Sequence, residues 1–537
     1  MKIAWLDINS SYSHSSLAIP ALDAQLDETT RNLHEWKIVS GILKTDEKEI
    51  IQSLYEFSPD VILSTLWLFN HEYVIRIIQK AKRLCPDALV LMGGPEFLGD
   101  NEKFLREHPE VDSVFKGEGE EIFKDFISDI SDYRNIDGFC YLSADDTYHD
   151  SPEIKATDFK DCQYPESSRY FRWDKSFIQI ETSRGCFNSC NFCISGKGGR
   201  YNEPGVDTIR PRIQNALDHG IHNIRVLDRT FNADSRRACE MLDIFNEFGG
   251  QMMFHIEIHP ALMSPRFREK LLTLPKGLLH IEAGIQSLDD QVIGECRRKG
   301  KVADALTGLE FLCGLKKFDI HADLIAGLPH YTLEQLKKDI LRLMQTGISE
   351  LQLELLKLLP GTPFRKNAET LKITYSPLPP YEVLRTDRIS YRELGIAMLY
   401  SKALDYWFNS DIWREIIVRM EQIRSGSFFE LAEKAAANGL GYMPFSQEKK
   451  GLVLYEFLKD GFSELIPQIC LQWLSAGYSP KKGPGEEAVL WNRRKIQGNP
   501  IEDDDRETNY YFIEKDSTRI WIAYRNKKVL RTMESPK

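Results

Sequence analysis

Cys186-Phe187-Asn188-Ser189-Cys190-Asn191-Phe192-Cys193 places three cysteines within eight residues, spaced C-x3-C-x2-C, with an aromatic directly before the last. No fourth cysteine lies nearby. Three thiolates can hold three irons of a cubane iron–sulfur cluster, because soft sulfur suits iron. The fourth iron then stays open to an outside ligand, which points to chemistry at that iron. The competing reading is a zinc knot. Structural zinc wants four closed ligands, and His219, His222, His255 and His259 lie too far along for a compact knuckle. A strand-like run, Phe177 to Thr182, precedes the cysteines, and the glycine-rich stretch Ser195-Gly196-Lys197-Gly198-Gly199-Arg200 follows them. A strand feeding a ligand-bearing loop is how α/β folds build sites.

Outward from this loop, residues 176–365 alternate strand and helix patterns. Strands are expected at 177–182, 222–227, 253–258, 278–284, 319–325 and 351–358, with helical periodicity between them. Six βα units with the cysteines at the first strand's exit describe a partial (βα)6 TIM-type barrel, whose site belongs at the strands' C-terminal face. Residues 1–145 alternate too, with apolar strands at Ile3–Ile8, Val61–Leu68, Ala88–Met92 and Val111–Phe115. The helix expected over His71–Leu84 carries apolar residues at 74, 75, 77, 78 and 81. This reads as a doubly wound, Rossmann-like sheet with glycine loops at strand ends. Residues 146–175 are polar and read as a linker. Residues 366–537 read as a mostly helical domain, with helical patterns at 381–407 and 410–438 and a terminal hairpin at 508–513 and 519–524.

At 537 residues the chain has room for about three domains of ~150 residues each. Hydrophobic residues make up 42% and charged residues 28%, and no apolar run reaches the ~18 residues of a membrane span. The N-terminus reads as a first strand rather than a signal peptide, so a cytoplasmic location is expected. A net charge of −11 argues against a broad nucleic-acid surface. Ten cysteines in a cytoplasmic chain are not a disulfide framework, and the seven scattered ones are expected as small buried hydrophobes.

The cysteine spacing, the aromatic, the preceding strand and the mid-chain position resemble the radical S-adenosylmethionine (SAM) superfamily. That resemblance implies a [4Fe-4S] cluster held by Cys186, Cys190 and Cys193, with SAM chelated at the open iron and cleaved to a 5′-deoxyadenosyl radical. The first 145 residues resemble the cobalamin-binding domain of one branch of that superfamily. The residues that carry this are Leu17-Ala18-Ile19-Pro20, the strand 61–68, Gly93-Gly94-Pro95-Glu96 and the run Val111 to Glu120. By resemblance, Ser64, Gly93, Gly94, Gly117 and Gly119 border the cobalamin. The Asp-x-His-x-x-Gly motif of classical cobalamin domains is absent, since His14 follows Asp7 by seven residues. Cobalt would then lack a protein histidine below it. Some relatives keep this fold without cobalamin, and that alternative stays open.

Several residues are candidates for contact with SAM. Phe192 resembles the aromatic that borders the adenine, with plain packing as the alternative. Asp228 stands where many relatives have Gly-Gly-Glu and could accept from the SAM amine; Arg229 could instead pair with it. Glu257 and Glu282 lie at strand positions where a charge facing the barrel interior must be paired or bound. Gln286 and Ser287 sit at a strand exit within reach of the ribose or methionyl part. The C-terminal region resembles an uncharacterised domain that follows this pair in some bacterial proteins and implies no activity.

The resemblance implies a cobalamin-dependent radical SAM enzyme, foremost a methyltransferase acting on an unactivated carbon of a small molecule or peptide. A reducing donor such as flavodoxin or ferredoxin would be its partner. The alternatives are a cobalamin-dependent cyclase or rearrangement enzyme, and a radical SAM tRNA-modifying enzyme without cobalamin. The last wants cluster cysteines in the first domain, where Cys85 and Cys140 form no triad. Catalytic side chains are not legible.

Overall fold

The computed structural model describes residues 1–154, 161–195, 202–491, 498–501 and 507–537. The glycine-rich stretch 196–200 lies outside them. Two compact units result. One comprises Met1–Ile320, Gly327–Tyr331 and Leu355–Ser390; the other comprises His321–Ala326, Thr332–Glu354 and Tyr391–Lys537.

The first unit opens with a seven-stranded sheet built from β1 (Lys2–Asn9), β2 (Glu35–Ile42), β3 (Val61–Thr65), β4 (Leu89–Gly93), β5 (Ser113–Phe115), β6 (Phe139–Leu142) and β7 (Tyr148–His149), in the order β2-β1-β3-β4-β5-β6-β7. The first five strands pair in parallel, and β6 and β7 add antiparallel at the edge. Strands buried on both faces read as continuous apolar runs, and β1 shows why. Ala4, Leu6 and Ile8 join one core with Val74, Ile77 and Ile78 of the helix His71–Leu84, while Ile3 and Trp5 join another with Phe123 and Phe126. The parallel part matches the doubly wound expectation. β6 and β7 were not anticipated: both are short, and β7 lies in the polar run read as linker. That run also carries Phe171, which is buried, and Ser168, whose hydroxyl donates to Asp23 at 2.5 Å.

Four strands follow in the same unit: β8 (Ile178–Ile180), β9 (Asn223–Val226), β10 (Met253–Ile258) and β11 (Leu279–Gln286), each parallel to the next. β12 (Asp319–Ala326) and β13 (Glu350–Leu355) complete the six expected strands. Burial alternates along β8 to β11. Ile178, Ile224, Phe254 and Ile281 turn to the packed face, where Phe254 stacks on Phe245 at 4.0 Å. The other face carries polar side chains.

A small hairpin of β14 (Thr374–Tyr375) and β15 (Val383–Arg385) replaces the start of the helix expected over 381–407, which begins only at Tyr391. In the second unit, five helices between Tyr391 and Ser475 bury Trp407, Trp413 and Trp473. The expected terminal hairpin is part of a four-stranded antiparallel sheet, β16 (Val489–Leu490), β17 (Asn509–Lys515), β18 (Thr518–Arg525) and β19 (Lys528–Pro536). β19 escaped sequence reading because most of its residues are exposed and its apolar alternation is weak. No helix of the described residues is long and apolar enough to cross a membrane.

Candidate active site

The cysteine loop leaves β8 and is held by buried polar anchors. Asp228, just past β9, is 1% exposed and accepts hydrogen bonds from the Thr182 N–H (2.8 Å), the Thr182 hydroxyl (2.5 Å) and the Ser183 N–H (2.8 Å). Both of its carboxylate oxygens are thus engaged in fixing the start of the loop. Arg229 does not pair with Asp228; its guanidinium lies 3.9 Å from Glu257.

Arg184 is the next anchor. It pairs with Glu181 (2.7 Å) on its own loop, and with Glu120 (2.6 Å) and Glu118 (3.5 Å) on the loop after β5. Burial opposes the charge of the guanidinium, but Glu181 and Glu120 outweigh it and hold its pKa well above the usual arginine range. Arg184 thereby ties the cysteine loop to the first sheet. Its backbone also exchanges two hydrogen bonds with Asn202.

The cysteines follow. The Cys186 sulfur lies 3.6 Å from the Thr230 hydroxyl. Cys190 is buried, and that burial pushes its thiol pKa up against the opposing pull of Arg298. The Cys193 sulfur accepts from the Ser195 N–H at 3.4 Å. Asn191 donates to the carbonyls of Glu295 (2.7 Å) and Cys296 (2.9 Å), and its own carbonyl accepts from the Phe364 N–H. The Asn188 Oδ1 accepts from the Lys299 N–H at 3.1 Å. Five of the seven scattered cysteines (Cys140, Cys162, Cys239, Cys296 and Cys470) are buried as expected, while Cys85 and Cys313 are half-buried.

The residues present fit a cluster with an open iron. Three thiols project from one loop, and Arg298 stands by to balance thiolate charge. Several buried polar atoms find no hydrogen-bond partner among the described residues: Asn188 Nδ2 and Ser183 Oγ in the loop itself, and Gln286 Oε1 at the exit of β11. Buried polar groups are normally satisfied, so these atoms are poised for a ligand. Gln286 holds a left-handed backbone (φ +66°) and, with Arg298, lies over Gly284. The Ser287 hydroxyl is buried and accepts from the Asp289 N–H at 3.1 Å. Glu257 and Glu282 face each other in register on β10 and β11, and the Glu282 carboxylate lies 3.2 Å from His255 Nε2. Phe192 is half-buried.

His259 was not singled out as a site residue. It is 3% exposed, accepts from the Ala261 N–H through Nδ1, and leaves Nε2 without a partner among the described residues. Burial, with Arg298 nearby, pushes its pKa down to about 3. Arg184 and Arg298 were also missed; only the contiguity of Arg184 with Cys186 hinted at the first.

At the end of the first sheet, the glycines divide. A Cβ on Gly94 (φ +115°) would lie 2.5 Å from the Leu66 carbonyl, and one on Gly117 (φ +122°) 2.1 Å from the Ile154 carbonyl. The chain's own backbone requires both. Gly93 has room, its Cβ position being 4.0 Å from Phe115, and Gly119 meets side chains only, the end of Leu22 at 3.1 Å and the Phe115 ring at 3.7 Å. Ser64 is buried and donates to the Leu6 carbonyl at 3.0 Å.

Comparison with known families accords with this layout. Residues 8–127 match the model of the B12 binding domain, and residues 180–343 that of the radical SAM superfamily. The chain carries a B12-binding domain and a radical SAM domain. It is an enzyme of the radical SAM class. Residues 369–498 match a family described as a protein of unknown function, DUF4080. An uncharacterized methyltransferase of Pyrococcus horikoshii is 25% identical over 355 residues, covering 63% of this chain and 76% of that protein. The cobalamin-dependent radical SAM methyltransferase TokK of Streptomyces tokunonensis is 22% identical, covering 61% of this chain and 54% of TokK. The chain therefore spans about three quarters of the first relative and about half of the second. Among solved structures, the cobalamin-dependent radical SAM enzyme OxsB superposes with a TM-score of 0.63 at 13% identity, over 87% of this chain and 81% of OxsB. The methyltransferase TsrM of Kitasatospora setae, solved with cobalamin and a [4Fe-4S] cluster, gives 0.55 at 17% identity, over 70% of this chain and 78% of TsrM. These likenesses show a shared fold, with the B12-binding sheet preceding the radical SAM strands.

Proposed function

We propose that the protein is a cobalamin-dependent radical SAM methyltransferase acting on an unactivated carbon of a small-molecule or peptide substrate. The observation that carries this reading is the bond between its two halves. Arg184, two residues from Cys186, is clamped by Glu118 and Glu120 on the loop after β5. The cysteine loop and the glycine loops of the B12-binding domain thus share one ion-pair network.

When bound, the cluster with SAM supplies hydrogen abstraction and cobalamin supplies the methyl group. The chain's own residues position and shield these groups. Cys186, Cys190 and Cys193 would hold the cluster, and Asp228 fixes the loop that presents them. Glu257 on β10, Glu282 and Gln286 on β11 and Ser287 just past it are the proposed SAM contacts, together with Phe192. Asp228 acts through the Thr182 and Ser183 backbone. Gly93, which leaves space, and Gly119, which is bordered by side chains rather than backbone, are the better-placed of the proposed cobalamin contacts. A low-potential donor of the flavodoxin or ferredoxin class would supply electrons.

The test uses protein reconstituted anaerobically with iron, sulfide and cobalamin. It is given a chemical reductant and SAM carrying a labelled methyl group, with candidate small molecules and peptides. Label appearing in a product, only with cobalamin present, supports methyl transfer. 5′-Deoxyadenosine with an altered, unlabelled product would instead identify a rearrangement.

A further inference from the structure

The unpacked face of the radical SAM strands carries a polar row in register: Gln179 on β8, Arg225 on β9, His255 on β10 and His280 on β11. Within this row Arg225 is anomalous. It is half-buried, and its guanidinium makes no hydrogen bond or ion pair among the described residues; its contact is the face of Phe177, 4.1 Å from the ring centroid. A stacked guanidinium keeps its N–H edges free, and those edges match an oxyanion with two acceptors.

Two further hydrogen-bond donors, the neutral imidazole of His14 and the ammonium of Lys175, come to the same place from the first sheet's side. His14, on the loop after β1, packs edge-on against the same Phe177, with ring centroids 5.6 Å apart. Its Nδ1 is held by Ser11 (2.9 Å) and Ser13 (3.3 Å), which leaves Nε2 for an outside partner. Lys175 donates to the Tyr12 carbonyl on that loop. Burial first, then the charges of Arg225 and Lys175, lower the His14 pKa. None of the carboxylates in this neighbourhood bonds Arg225. Asp7 accepts from Asn9 and faces Arg172 and Lys175, Asp174 pairs with Arg172 at 2.7 Å, and Glu282 is held by His255. The Arg225 guanidinium thus stands on Phe177 with no carboxylate bonded to it among the described residues.

We propose that Arg225, His14 and Lys175 form a binding site for a phosphate-class oxyanion. Arg225 supplies a forked pair of donors, and His14 Nε2 and Lys175 Nζ supply the rest. The site deepens the proposed function, because a substrate lying between SAM and cobalamin would place its phosphate or phosphonate here. Cobalamin's own nucleotide phosphate is the second source of the same chemistry.

The test uses the full chain with its cluster reconstituted, as wild type and Arg225→Met. Inorganic phosphate is titrated calorimetrically, and affinities are measured for cobalamin and for cobinamide, which lacks the nucleotide phosphate. A tenfold or greater loss of phosphate affinity in R225M, with cobalamin binding unchanged, supports the site and assigns it to the substrate. A tenfold loss for cobalamin with cobinamide unchanged supports the site and assigns it to the cofactor. Unchanged binding of all three, or equal loss of cobalamin and cobinamide, overturns it. Should R225M fail to fold, Arg225→Lys keeps the charge, removes the fork and is read by the same ratios. Phosphate titration of the cobalamin-free wild type tests the site even if no methyl transfer is found. Failure of the proposed function and failure of this site are therefore separate results.

Discussion

The cysteine loop and the glycine loops of the first sheet stand on different physics. The cysteine loop is held by buried polar anchors: Asp228 on two backbone N–H groups, Arg184 among three carboxylates, Asn191 on two carbonyls. The glycine loops are held by backbone packed on backbone, at Gly94 against Leu66 and at Gly117 against Ile154. Polar anchoring costs much when one partner is removed, because the other is left buried and unsatisfied. Close backbone approach is instead sensitive to a single added methyl. The two loops should therefore fail under different substitutions.

The largest effect expected is chemical. Cys186→Ala should abolish SAM cleavage, read as 5′-deoxyadenosine formation, while far-ultraviolet circular dichroism stays unchanged. Residual cleavage at wild-type rate would remove the cysteine loop from the site. Next, Asp228→Ala should cost about 3 kcal/mol of stability in urea unfolding and reduce iron uptake, because the N–H groups of Thr182 and Ser183 lose their shared acceptor. An unchanged midpoint would refute polar anchoring.

The third expectation concerns pH. The folded pKa of His259 lies near 3, below the ordinary value of 6.5, so the unfolded chain binds the extra proton first. Stability from keeping this histidine neutral is present above pH 6.5 and is lost as pH falls toward 3, by about 2 kcal/mol at pH 5. His259→Gln should flatten the acid limb of a stability–pH curve by that amount, and parallel curves would contradict it. The glycine loops sharpen the contrast. Gly94→Ala should cost about 2 kcal/mol through a strained backbone and a close contact, whereas Gly93→Ala should cost less than about 0.5 kcal/mol. Any drop in cobalamin retention by G93A would then report contact rather than misfolding. Smallest is the Arg184 clamp. Glu120→Gln, at a buried partner, should cost about 1 kcal/mol, and Glu118→Gln, at an exposed one, about 0.3 kcal/mol or less. Equal effects would mean burial does not rank the two.

What sequence reading could reach follows from the same contrast. The cysteine loop was legible because cysteine is a rare residue type and three of them fall in one contiguous run. All six central strands were legible because each carries a clear apolar pattern. The partners were not. Whether Arg229 meets Asp228 or Glu257, and whether His255 meets Glu282, depends on strand register, which the one-dimensional pattern does not encode. Gly94 and Gly117 looked like room for a ligand, but the space is taken by Leu66 and Ile154, residues far away in sequence. Arg225 drew no notice because its significance lies in a missing partner. β6 and β7 were missed because they are only four and two residues long, and β19 because most of its residues are exposed.

The central claim is that one chain brings a SAM-binding cluster and cobalamin together. Anaerobic reconstitution with iron, sulfide and hydroxocobalamin, followed by desalting and an absorption spectrum, tests it most directly. The account predicts a cluster band with about one equivalent of retained cobalamin, both reduced by Glu120→Gln with Glu118→Gln. A cluster without retained cobalamin would contradict it and leave the first sheet as a fold without its cofactor.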